Sequence, residues 1–186
     1  NTGLSFFRGA VVRRGDHELH VQDGRRDHHH IEMLGKYTRP VRVNYHGHFE
    51  EVSVIFKPMG INRFLRNAFG ELAPSYSQAW EDPAWLRFAQ KLFNASDRQQ
   101  CVEEFLSEQL HDDDELRRMG KTLPLLSTAD AVPRLSDIAG QVHMTTKTYQ
   151  RHFQRHLACS PREYRRIRSE EHTSELQSRF GISYAV

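Results

Sequence analysis

Between Thr146 and Arg165 the chain concentrates side chains that carry positive charge or exchange hydrogen bonds. Thr146, Lys147, Thr148, Gln150, Arg151, Gln154 and Arg155 fall within ten residues. On a helix they would flank a buried stripe of Tyr149 and Phe153, which share a face at i and i+4. Hydroxyls, amides and guanidinium groups on one helix face are what reading base edges in a major groove requires, with cations left over for phosphates. Ser160, Arg162 and Arg165 follow directly. A basic run alone is ordinarily a solvated helix face. Here the overall net charge of +2 conceals a strong asymmetry. Residues 143–168 hold seven Lys or Arg against Glu163, a net of +6, whereas residues 71–115 hold eleven acidic residues against three basic ones, a net of −8. Beside the helical pattern, such a basic block reads as an electrostatic footprint for a polyanion.

The elements that would position these side chains are written in the flanking sequence. Ser136 is expected to cap a short helix running to Val142, with Leu135, Ile138, Ala139 and Val142 facing inward and Ala139 small enough for a second helix to cross closely. A tight turn at His143-Met144 follows, and Thr145 is expected to cap the next helix. Ser160-Pro161-Arg162-Glu163 is a capping box with proline at the first helical position, so a further helix starts there with backbone N–H groups suited to a phosphate.

In order and spacing, LSDIA, TTKTYQRHF and SPREYRRIR over residues 134–168 resemble the first of the two helix-turn-helix units of AraC/XylS-type transcription regulators. The resemblance implies that the helix over about 146–156 is the reading helix. It implies that Lys147, Gln150 and Arg151 touch bases, and that Ser160, Pro161, Arg162 and Arg165 meet the DNA backbone. Upstream, YTRPVRVNYHGHFEEVSVIFKPMGINRFL is similar to the end of the β-domain of one branch of that family, with an F-x-P-x-G signature. That part implies a domain that binds a small effector or mediates dimerisation. The chain departs from the family where His143 and Ala158 stand at positions that usually carry glycine, since the turn there often needs φ > 0. A linker helix and a second helix-turn-helix would complete the family's DNA-binding domain. With one unit, DNA binding is expected to be weak and poorly selective.

The fold class expected is α+β: an antiparallel, partly barrel-like β-region over residues 1–60, a helical continuation over 61–115, and an all-α helix-turn-helix unit over 116–168. Leu4–Val12 is rich in β-formers, and Val41, Val43 and Tyr45 alternate with polar residues, as do Val52, Val54 and Phe56 after a turn at His46-Gly47. After Pro58-Met59-Gly60 the period turns helical: Ile61, Phe64, Leu65, Ala68 and Phe69, then Trp85, Phe88, Ala89, Leu92 and Phe93 behind Asp82-Pro83. A third helix, capped by Ser96, would bury Cys101, Val102, Phe105, Leu106 and Leu110, and Asp112-Asp113-Asp114 would be a hinge or helix start.

Twelve histidines raise a rival reading, a cupin-like metal or small-ligand site at His46-Gly47-His48. Such sites want a glutamate three or four residues further on, where Val52 or Ser53 stands. His28-His29-His30 lies in a polar stretch and is expected to be solvated. No Gly-rich phosphate loop, nucleophile elbow or placed carboxylate pair is visible, so no catalytic residue, cofactor or metal ligand is expected. Two cysteines are too few for a disulfide framework and favour a reducing cytoplasm. No apolar run is long enough to span a membrane, and no signal peptide is visible. Finally, SEEHTSELQSRFGISYAV over residues 169–186 resembles the in-frame translation of a sequencing adapter, and Asn1 is not Met. The natural chain is therefore expected to stop near Arg168, with both ends truncated.

Overall fold

The computed structural model describes residues 2–35, 40–72, 76–111, 113–126 and 133–178, with backbone only from 170 on. Among the described residues it is a mixed α+β fold, with seven strands in two sheets accompanied by helices. The strands are β1 (Thr2–Arg8), β2 (Ala10–Arg14), β3 (Glu18–Asp23), β4 (His29–Leu34), β5 (Arg42–His46), β6 (Glu50–Phe56) and, further on, β7 (Ser77–Ala79). The larger sheet runs β6-β1-β4-β7 with every pair antiparallel. Gly9, at φ 74°, turns the chain out of that sheet into the smaller one, β2-β3-β5. Among the described residues the sheets do not close into a barrel.

The expectation of an all-antiparallel region fails at one pair: β3 and β5 are parallel, with Leu19 opposite Val43 and Val21 opposite Tyr45. Intervening β4 leaves to join β1, so β5 approaches β3 by a crossover and not through a hairpin. That also explains why the alternating stripe in β5 is not core. It is an edge strand, and Val43 and Tyr45 are exposed. His46 and Gly47, at φ 98°, do form a turn, but it links strands of different sheets.

Central strand β1 is buried along nearly its whole length, sending Leu4 and Phe6 to one face and Phe7 to the other. The first face is covered by α2 (Pro83–Asn94), whose Trp85, Phe88, Ala89, Leu92 and Phe93 are all buried as the spacing predicts. Asp82 caps α2 by accepting from the N–H groups of Ala84 and Trp85, with Pro83 at the first position. Next, α3 (Arg98–Gln109) is capped by Asp97 through Gln100 N–H (2.9 Å), one residue later than Ser96. Of its expected inner face only Cys101 is fully buried, and Leu110 lies past the helix, exposed.

The helix expected over 61–69 is instead a 3-10 turn, Gly60–Arg63, and a single helical turn α1, Phe69–Leu72. Ile61, Leu65 and Phe69 are buried all the same. Asn62 accounts for the break: its buried carboxamide accepts Phe69 N–H (2.8 Å) and donates to the carbonyls of Met59 (3.2 Å) and His156 (2.8 Å). Those bonds replace helical ones and tie this loop to the C-terminal helices.

The remaining helices are α4 (Asp114–Thr122), α5 (Leu135–Gln141), α6 (Thr146–Leu157) and α7 (Pro161–Ser178). Asp113 caps α4, as an expected helix start; Asp112 lies outside the described residues. Packing of α4 to α7 makes a second core of Met119, Leu123, Leu126, Ile138, Ala139, Val142, Tyr149, Phe153, Cys159 and Tyr164. No helix among the described residues is long and apolar enough to cross a membrane.

Candidate nucleic-acid interface

The buried side of α6 fixes what its other side presents. Tyr149 and Phe153 are fully buried with ring centroids 5.7 Å apart, and Tyr149 Oη pairs with Thr122 Oγ1 at 2.7 Å, which in turn donates to Met119 O. Burial pushes the Tyr149 phenol above its ordinary pKa, and the bond to Thr122, which acts the other way, is the weaker influence, so it stays protonated. With this face held, Lys147, Gln150, Arg151, Gln154 and Arg155 are exposed. Thr146 and Thr148 are half-buried, and the Thr148 hydroxyl accepts a bond from Thr145 Oγ1 (2.9 Å) within the helix cap. Thr145 caps α6 by accepting Thr148 N–H, where the sequence places that role.

The turn before α6 has a definite geometry. His143 sits at φ 57°, its N–H bonded to Gly140 O, while Met144 N–H bonds to Ala139 O. That pair of bonds is the Schellman closure, which favours glycine at the left-handed residue. α5 itself begins at Leu135 with Arg134 as its cap and no side-chain cap bond; Ser136 lies inside the first turn and donates to Asp137 instead. Ala158, the other departure, is also left-handed at φ 57°, and it is buried. Exchange of His143 for glycine is expected to remove the Cβ strain of about 1 kcal/mol at that position. Part of the gain is lost to the freer unfolded chain, so Tm should rise by about 2 °C. A thermal melt with no rise, or a fall, would contradict the turn geometry.

At the start of α7 the capping box is present: Ser160 N–H donates to the Glu163 carboxylate (2.8 Å) and Glu163 N–H to Ser160 Oγ (3.2 Å). The Ser160 and Glu163 N–H groups are taken within the box and Pro161 has none, while the Arg162 and Arg165 side chains beside them are exposed. The helix continues to Ser178 with no break near Arg168.

One candidate turns toward the acidic part of the chain. Arg155 Nε donates to Glu71 (2.9 Å), and α1 lies so close to α6 that a Cβ on Gly70 would collide with the Gln154 carbonyl. Arg151 lines a cleft together with Gly70, Glu71, His152, Gln154 and Arg155, while Lys147 and Gln150 do not. The rival site at His46 and His48 is not assembled: both are exposed, at the end of β5 and beyond the turn, and His48 N–H bonds to Asp23.

Sequence reasoning missed two arrangements. In the β-region, Glu32 is buried with Arg14, His30 and Ser77 around its carboxylate. In the helical region, Glu115 meets His152 and His156. The i, i+4 histidine spacing on α6 was a visible signal for the second, but the glutamate lies far away in sequence. No protein family, curated protein or solved structure matches this chain.

Proposed function

We propose that the chain binds double-stranded DNA, with α6 entering the major groove as the reading helix, and that it belongs to a transcription regulator of the AraC/XylS type. One observation carries the reading: α6 is anchored from behind by Tyr149, Phe153 and His156 while Lys147, Gln150 and Arg151 stand exposed on the opposite face. Lysine and arginine pair with the acceptors of guanine, glutamine with the donor and acceptor of adenine. Arg162 and Arg165, exposed on the next helix, supply cations for the backbone. The pair α5 and α6, joined by the His143 turn, is then a helix-turn-helix. The protein acts without a catalytic step and works where the DNA is, in the cytoplasm. Its β-region fits a sensor role, taking a small-molecule effector or a second copy of the chain.

Fluorescence anisotropy of a labelled duplex of about 30 base pairs tests the reading. Binding should be measurable at low salt and fall steeply as salt rises, because each neutralised phosphate releases counterions. Absence of binding at low salt, or affinity indifferent to salt, would sink it.

A further inference from the structure

We propose that Glu115, His152 and His156 form a binding site for a divalent transition metal of the zinc class, joining the first turn of α4 to the inner side of α6. The donor atoms of these three side chains lie within 4.8 Å of one another, a group of three such ligands among the described residues. Two imidazoles at i and i+4 on one helix face the same way, and their rings stack at 6.2 Å. The carboxylate arrives from the other helix: Glu115 Oε1 is 3.3 Å from His156 Nε2 and lies against His152 Nδ1. Two nitrogens and one oxygen, with a fourth position left to water, make the ligand set of an open zinc site.

Two further observations point to a ligand. The His152 Nδ1 atom is shut off from solvent yet makes no hydrogen bond of proper geometry, although the carboxylate is beside it. His156 Nδ1 faces Asn62 Oδ1 at 3.4 Å, an acceptor that favours the tautomer whose Nε2 lone pair points at Glu115. An outer partner of that kind is what orients metal-binding imidazoles. A solvent-open cleft lined by Asn62, Asp113, Glu115, Arg155 and His156 provides a way in. His152 is half-buried and His156 buried, while Lys147 and Arg151 are exposed, so metal would brace α6 from its packed side. Spacing alone suggested no metal ligands in this chain; the fold supplies them by bringing Glu115 to the histidine pair.

The test uses the intact, untagged chain and zinc or cobalt(II) chloride, with no DNA, so it stands apart from the DNA-binding reading. Equilibrium dialysis should give one metal per chain, and cobalt(II) should show the intense visible bands of a four-coordinate site. Zinc should raise Tm, since it binds the folded form. Glu115→Gln and His152→Ala should each weaken binding at least tenfold and abolish the Tm rise, while His46→Ala/His48→Ala keeps both. Circular dichroism in metal-free buffer checks that the variants fold, and if one does not, the other decides. No binding by the unaltered chain, or binding unchanged in a folded variant, would overturn the proposal.

Discussion

Arg14→Ala should lower stability by about 3 kcal/mol at neutral pH, the low end of the cost of removing one partner from a buried ion pair, because Arg14 itself remains about one-third exposed. Glu32 is 1% exposed, and Arg14 holds it with two bonds, Nε at 2.6 Å and Nη2 at 2.5 Å. His30 Nε2 lies 2.8 Å away, and Ser77 Oγ donates from β7. Burial is the largest single influence and pushes the Glu32 carboxyl up. Bonds from His30, Arg14 and Ser77, with the charge of Arg14, together outweigh it and hold the group below its ordinary value. A depressed carboxyl stabilises the fold fully above its unfolded pKa of roughly 4.5, and this stability is lost as pH falls through the lower folded value. Without Arg14 the carboxylate is left buried, so Tm should fall by about 6–12 °C at pH 7. Pairing the change with Glu32→Gln should restore part of the loss. Thermal melts at pH 7 and below pH 4 check this; an unchanged Tm at pH 7 would show that the pair carries no stability.

The largest functional effect is expected from Lys147→Ala combined with Arg151→Ala. Each contact to a base edge contributes about 1–3 kcal/mol of discrimination, and each cation facing a phosphate contributes about one unit of salt slope. Loss of both should weaken duplex binding by roughly thirtyfold or more. Neither side chain is buried, so the fold should be unaffected. Glu104→Ala, on the exposed acidic side of α3, should change nothing. Equal effects of the two kinds of substitution would mean only that net charge matters. Arg155→Ala is less informative, because it also removes the ion pair to Glu71.

Local chemistry was the legible part of this chain. Asp82-Pro83, Thr145 and the Ser160–Glu163 box form caps where their residue types say, because a cap depends on three or four neighbouring residues. The inner faces of α2, α5 and α6 follow from helical spacing in the same way. Long-range pairing was not legible. Val43 and Tyr45 have the alternation of a half-buried strand, yet the partner they meet depends on β4 crossing to another sheet. Ile61 to Phe69 has helical spacing, but the buried amide of Asn62 offers the backbone other partners. The exposed face of α6, Lys147 to Arg155, was legible because it lies on one helix. Contacts that join distant segments were illegible, as in Arg155 with Glu71 and the two histidines with Glu115.

One comparison bears most directly on DNA recognition by α6: the slope of log affinity against log salt for the unaltered chain and for the Lys147→Ala/Arg151→Ala variant, on the same duplex. The account predicts a steep negative slope for both proteins, because the cations assigned to the backbone are kept, and binding of the variant roughly thirtyfold weaker or more at every salt concentration. Identical affinities for the two proteins, or a slope near zero for the unaltered chain, would contradict it.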